Sequence, residues 1–213
     1  TSHILQRAEH FQLILIGEGL FVGVVSGIVV IAYRVALQYA GEWLTWILNW
    51  IQGEPIKIAG WFLVLLVLAL IVGRLLKWEP LISGSGIPQL EGEMIGKLDQ
   101  CWWRILIAKF TGGFLSLLAG LSLGREGPSI QLGAMAGKGF SRLTGKGLTE
   151  ERFLLTCGAS AGLAAAFHAP LAGVMFSLEE VHKNFSVSAL LSVMTASLTA
   201  DYLSSNIVGF DPV

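Results

Sequence analysis

Two short segments of this sequence combine glycine and proline with a polar side chain suited to ion chemistry. Residues 84–88 read Gly-Ser-Gly-Ile-Pro, and residues 124–128 read Gly-Arg-Glu-Gly-Pro. Glycine lets a ligand approach the main chain closely, and proline is favoured in the first turn of a helix. Each segment therefore predicts a loop that leads into a helix N-terminus. Because the free N–H groups and partial positive charge of such an end attract anions, the two segments indicate an anion site.

The composition is that of a membrane protein. Apolar residues make up 54% of the chain and charged residues 14%, with a mean hydropathy of +0.68, whereas roughly a quarter of the residues in soluble domains are charged. In hydrocarbon, irregular backbone is tolerated only where protein buries it or where it lines a cavity. Broken helices that point at an ion near the middle of the membrane are a recurring transporter device. A net charge of −1 does not suggest a nucleic-acid partner.

The hydropathy pattern predicts an all-α, polytopic transmembrane protein. Three tryptophans after the first span are expected at a membrane interface, namely Trp43, Trp46 and Trp50. Two elements too short to cross the membrane are predicted after the glycine-rich segments, over 86–95 and 128–139. Two short apolar helices, 150–166 and 171–181, are joined at 167–170. Full membrane spans are predicted over residues 13–39, 58–76, 102–123 and 188–203.

Three motifs in order give the chain a family resemblance. The two glycine-rich segments are followed by residues 158–173 (GASAGLAAAFHAPLAG), and then by Glu179 and Glu180. From residue 13 onward the chain resembles the CLC family of chloride channels and proton/chloride antiporters. The resemblance implies a fold of two inverted repeats, and residues 1–213 correspond to the first. The chain is therefore expected to be an N-terminal half that needs a second-repeat partner.

The resemblance also implies roles for individual residues. Chloride would be held by backbone N–H groups near Gly84, Ser85, Arg125 and Glu126, together with the Ser85 hydroxyl. Glu126 would be the gate, because its carboxylate occupies the anion site when ionised and leaves it on protonation. Glu180 would transfer protons on the inner side.

Simpler structural interpretations of these residues stay open. Ser85 is also a common helix-capping residue type. Glu126 is also compatible with a solvated loop carboxylate, and Glu179 with Glu180 is also compatible with a charged pair at a helix end facing water.

Three further polar residues lead to structural predictions. Lys109 lies inside a predicted span, where an unpaired charge is costly, so we expect it to pair with Glu91. Arg125 is expected to form a salt bridge at the protein surface. Glu179 and His182 have the Glu-x-x-His spacing of di-iron bundles, but one copy does not make such a site. No metal or other cofactor is expected.

The function indicated is proton-coupled chloride exchange, in other words transport rather than enzymatic catalysis. Two alternatives remain: a passive, gated chloride channel, and a non-conducting half-module that requires a second-half partner. The resemblance implies a homodimer with one pore per subunit, in a lipid bilayer expected to be a bacterial plasma membrane.

Overall fold

The chain forms a bundle of helices in a computed structural model that describes residues 2–183 and 185–209, with side chains from residue 13 onward. Within these ranges there are eight α-helices and no β-strand, which confirms the all-α prediction. A 3₁₀ turn, Pro80–Ile82, precedes α3, and a π-helical turn, Ser177–His182, follows α7. The helices are α1 (Ser2–Ile51), α2 (Pro55–Trp78), α3 (Ile87–Met94), α4 (Trp102–Leu118), α5 (Glu126–Leu143), α6 (Leu148–Phe167), α7 (Pro170–Phe176) and α8 (Val187–Ile207).

Helix α1 is much longer than the predicted first span. It has 50 residues, which corresponds to about 75 Å, more than twice the roughly 30 Å of a bilayer core. The apolar run predicted an end near Tyr39, but the helix continues through all three interfacial tryptophans. Its polar residues there, Gln38 and Glu42, are good helix formers. The helix ends just before Gly53, which has a φ of +88°.

The third predicted span is shorter than expected, and the second broken helix is longer. Helix α4 ends at Leu118, and Gly120 follows with a φ of +88°, the left-handed conformation that commonly closes a helix. Residues 119–125 then run outside helical structure. Helix α5 begins at Glu126 itself, so Pro128 is its third residue rather than its first.

Small residues allow the central helices to approach closely. A Cβ added to Gly23 of α1 would lie 2.9 Å from the Cα of Ala196 in α8. Similarly, a Cβ added to Gly133 of α5 would lie 2.9 Å from the Cα of Gly162 in α6. Such contacts are typical of helix pairs in membranes, where van der Waals packing replaces the hydrophobic effect. The small residues of α6 thus allow α5 to pack closely against it.

Two described helical stretches, Leu13–Ile51 and Pro55–Trp78, are long and apolar enough to cross a membrane. Helix α2 has no buried residue along its 24 residues, and most of its apolar side chains are exposed. Among the described residues, α4 and α8 do not meet the same combined criterion of length and apolar composition. They pack instead against other helices of the bundle, α4 on α1 and α5, and α8 on α1 and α6.

Candidate functional site

The first glycine-rich segment forms a tight turn at the start of α3. Gly84 and Gly86 have φ values of +67° and +89°, which side-chain-bearing residues rarely adopt. The Ile87 N–H donates to the Ser85 hydroxyl oxygen over 3.4 Å, so Ser85 makes a long capping contact. The residue remains exposed, and its turn opens into a cavity. The capping interpretation and an anion-binding role therefore use the same geometry.

The second glycine-rich segment brings a carboxylate to the N-terminus of α5. Glu126 is the first residue of that helix, and its side chain is exposed. A negative charge in the first turn of a helix is stabilised by the free N–H groups and the helix dipole. Glu126 thus occupies the part of the helix that also attracts a free anion.

The two segments meet. A Cβ added to Gly127 would lie 2.6 Å from the Cα and from the carbonyl oxygen of Ser85. A cavity of about 450 Å³ lies at this contact, and Gly84, Ser85 and Glu126 all line it. Helix α4 contributes a wall of small and polar residues to it, namely Gly112, Gly113 and Ser116. Residues 40 positions apart in sequence therefore share one cavity, as a two-part anion site requires.

Lys109 stabilises the Ser85 turn, and the predicted pairing with Glu91 is wrong. The Lys109 Nζ donates to the carbonyl oxygens of Ile82 and Gly84, over 2.8 and 2.7 Å. Glu91 instead forms an ion pair with Lys183, at 3.0 Å. The tight turn leaves these carbonyls facing α4, and the buried ammonium is the donor that satisfies them. Its charge lies directly behind the turn, and Lys109 also lines the 450 Å³ cavity.

A second and larger cavity lies on the other side of Glu126. It has a volume of about 1040 Å³ and is lined by Arg34, Arg125, Glu126 and the polar side chains along α1. The predicted surface salt bridge of Arg125 is not formed in the part of the chain that the structure describes. Its guanidinium lies over the Phe167 ring instead, 5.2 Å from the ring centroid, because the start of α5 faces the end of α6. Glu126 therefore lies between two cavities, and Arg125 lines one of them.

Glu180 is not brought to this site. It lies with Glu179 in the π-helical turn after α7, where both side chains are exposed. Glu180 lines neither of the two cavities described above. Single π-helical turns often occur at functional positions. The predicted proton-transfer role of Glu180 stays a prediction.

A polar cluster behind the Ser85 turn was not predicted from the sequence; its members are Glu93, Asp99, Gln100, Gln131 and Lys138. Gln131 of α5 is fully buried, and its Nε2 donates to the carbonyl oxygen of Leu81 over 3.0 Å. It lies four residues after Gly127, on the same face of the helix. That spacing, with a glutamine among apolar and small neighbours, was the available sign of its importance.

One carboxylate of this cluster reaches the surface. Asp99 lies in the connection between α3 and α4, outside the membrane-spanning helices. A hydrogen bond from Lys138 lowers the pKa of Asp99 below its usual value. The carboxylate therefore stays ionised at neutral pH. Its interaction with Lys138 weakens only when the pH falls through the lowered pKa of Asp99.

The fold and the cavity define a helical membrane protein in which two helix N-termini, one with a carboxylate, meet at a single polar cavity. A family model described as voltage gated chloride channel matches residues 64–213. The chain belongs to this family, the CLC family, and the resemblance identified from the motifs is confirmed.

Relatives and solved structures agree with this assignment. The H(+)/Cl(-) exchange transporter ClcA of Vibrio cholerae is 39% identical over 196 residues, which are 89% of this chain and 40% of the relative. The protein of the same name from Citrobacter koseri is 38% identical over 192 residues, 85% of this chain and 39% of the relative. The crystal structure of a slow cyanobacterial Cl-/H+ antiporter matches with a TM-score of 0.77 at 34% identity.

The structural match covers 91% of this chain and 46% of the antiporter chain. A CLC-type fluoride/proton antiporter matches with a TM-score of 0.67 at 23% identity, covering 90% of this chain and 47% of the other, and supports the fold alone. The chain thus spans about two fifths of the length of the curated relatives that it matches.

Proposed function

We propose that this chain supplies the anion-binding and gating half of a proton-coupled chloride exchanger. The observation that carries the proposal is the contact between the two helix N-termini, where Ser85 and Gly127 touch at the cavity that Glu126 also lines. Chloride would be held by the N–H groups near Gly84, Ser85, Arg125 and Glu126, and by the Ser85 hydroxyl. Coordination by dipoles without a full counter-charge keeps such binding weak enough for release.

The position of Glu126 supports a gating role. An ionised carboxylate at the N-terminus of α5 competes with chloride for the same N–H groups, since both are anions. Protonation removes that competition, so a proton taken up by Glu126 admits a chloride ion. Exchange of chloride for protons follows if protons reach Glu126 from the opposite side of the membrane. We assign that inner transfer to Glu180, in line with the exchange activity in the names of the relatives.

A passive channel and a half-module remain alternative functions. The channel needs the same anion site but no proton transfer, so Glu180 would be dispensable in it. The half-module depends on the general design of inverted-repeat transporters, which build the central site between two halves. In that case a second-repeat half completes the wall around Glu126.

The proposal includes a dimer in a bacterial plasma membrane. The proposed homodimer contact involves exposed apolar side chains on α7 and α8. Leu171 of α7 is 69% exposed, and Tyr202 of α8 is 70% exposed. The exposed apolar surface of α2 would face lipid. The bacterial exchange transporters among the relatives support this location.

Reconstitution into liposomes with both ions recorded tests the proposal. The chain is reconstituted alone and together with the second half of a relative, and chloride efflux and proton movement are measured against a chloride gradient. Proton movement driven by chloride supports the exchanger, and chloride flux without it supports the channel. Chloride flux only in the combined preparation supports the half-module, and absence of flux in both preparations would refute the proposal.

A further inference from the structure

A buried polar network connects the two halves of the candidate anion site from behind. Its members come from α3, from the α3–α4 connection and from α5, and all four lie at least nine-tenths buried: Glu93, Gln100, Gln131 and Lys138. Buried polar groups are usually hydrogen-bonded, and a connected network restrains the relative position of the elements that carry it; here the Gln131 Oε1 has no hydrogen-bond partner among the described residues.

The network begins at the turn that carries Ser85. Gln131 donates from Nε2 to the Leu81 carbonyl oxygen and to the Gln100 Oε1, both over 3.0 Å, so both of its N–H groups are used. The body of the Gln131 side chain occupies the space beside Gly86, where an added Cβ would lie 2.7 Å from the Gln131 Cβ. Gln131 therefore contacts the main chain on both sides of Ser85.

The network continues to an ion pair between α3 and α5. Gln100 donates from Nε2 to Glu93 Oε2 over 2.8 Å, and Glu93 forms an ion pair with Lys138. The Lys138 ammonium also donates to Asp99 Oδ1 and to the Gln100 carbonyl oxygen, over 2.6 Å each. Three acceptors thus surround the three N–H groups of Lys138.

We propose that Gln131, Gln100, Glu93 and Lys138 are positioning residues for the anion site, which hold α3 and its N-terminal turn against α5 and so fix Ser85 relative to Glu126. The proposal rests on the proposed function. None of the four residues lines either cavity, so they act through the backbone that they hold.

Stability alone is a weak explanation for such a network. The desolvation of two buried charges offsets much of their attraction, and apolar residues of similar size are often at least as stabilising. A polar network of this kind restrains geometry, because hydrogen bonds weaken steeply outside their preferred distances and angles. Here that geometry is the register between the two helices whose N-termini meet at the cavity.

Hydrogen exchange measured by mass spectrometry on the chain in lipid nanodiscs tests the positioning role. Gln131→Leu removes the donors to Leu81 and Gln100, and Glu93→Gln removes the charge opposite Lys138. Both should speed amide exchange in residues 81–90 by about tenfold, the factor expected from the net loss of one hydrogen bond, while α1, α6 and α8 keep their wild-type rates.

Two further variants serve as controls. Lys138→Arg keeps the charge and the donors, and should leave exchange in residues 81–90 close to wild type. Lys146→Gln breaks the ion pair between Lys146 and Glu18, which joins two elements outside the network, and should not change that segment. Unchanged exchange at residues 81–90 in Gln131→Leu, or an equal rise in every helix, would overturn the proposal.

Transport measured beside exchange separates this proposal from the proposed function. With a second half supplied, Gln131→Leu should raise the KM for chloride several-fold while the maximal rate per folded protein changes little, and Lys138→Arg should keep the wild-type KM. An equal loss in the maximal rate with the KM unchanged would indicate a structural role only and refute positioning. If the wild-type chain transports no chloride in this preparation, the proposed function fails, and the exchange data still decide whether the network holds the turn.

Discussion

At the scale of single residues, the site depends on two neighbours at the start of α5. Glu126 supplies a carboxylate there, and the glycine beside it leaves room for the Ser85 turn. Glu126 lines both cavities, so it contacts each of them. The glycine beside it, Gly127, lets the Ser85 turn approach the helix within contact distance. The carboxylate and the anion-binding turn therefore share one small volume.

Replacing Glu126 by glutamine should mimic the protonated gate. In Glu126→Gln with a second half supplied, chloride should still pass, while uphill proton transport driven by chloride should disappear. The reason is that the amide carries no negative charge to compete with chloride and cannot take up a proton. Paired chloride and pH electrodes on liposomes measure both fluxes, and unchanged proton coupling would contradict the assignment.

Replacing Gly127 by alanine should disturb the contact between the two motifs. The added Cβ would lie 2.6 Å from the Ser85 Cα, a distance that real Cβ contacts do not show, so the turn must move. We expect a loss of about 1–3 kcal/mol in stability and weaker chloride binding, measured by thermal unfolding and by titration calorimetry.

Gly124→Ala is the matched control for stability, because nothing lies within 4 Å of the Cβ that it adds. It should unfold close to the wild-type temperature. Equal destabilisation by the two alanines would show that the close approach of Gly127 to Ser85 does not cause the loss of stability.

At the scale of helices, the sequence predicted where the broken helices begin better than it predicted which groups pair with each other. Glycine and proline mark the starts of α3 and α5, because glycine fits the left-handed turn before α3 and proline is favoured in the first turn of a helix. Helix length is less well determined, since α1 continues through polar helix-forming residues after its apolar run. The partner of Lys109 was missed because an ammonium donates to backbone carbonyls as readily as to a carboxylate. Which carbonyls face it depends on tertiary packing.

The π-helical turn after α7 gives Glu180 a position separate from the anion cavity. Glu180→Gln should therefore stop proton transport while chloride affinity stays at the wild-type value, because no group near the cavity is removed. Proton flux is followed with a pH electrode, and chloride affinity is measured by calorimetry.

Glu179→Gln is the control, as the neighbouring carboxylate lies in the same turn and is also exposed. It should transport protons normally. Loss of chloride binding in Glu180→Gln with proton flux retained would show that its role has been assigned wrongly.

At the scale of the whole molecule, the described residues leave two cavities beside Glu126, and different elements line each of them. The walls of the 450 Å³ cavity come from α2, α4, the Ser85 turn and the start of α5. The larger cavity is lined on its far side by the exposed polar face of α1, with Gln38, Glu42 and Asn49 among its residues. Polar side chains on a membrane helix are costly unless they face water or protein.

We therefore expect this chain alone to conduct no chloride and to gain conduction when a second half is supplied. The central site of an inverted-repeat transporter forms between its halves, so the second half is expected to close the cavities beside Glu126. Chloride efflux from liposomes is recorded for the chain alone, the second half alone and both together, with Glu126→Gln as a variant that should retain flux only in the combined sample. Chloride-selective efflux from this chain alone, or from its homodimer, would contradict the prediction and would require a pore closed by residues of this chain.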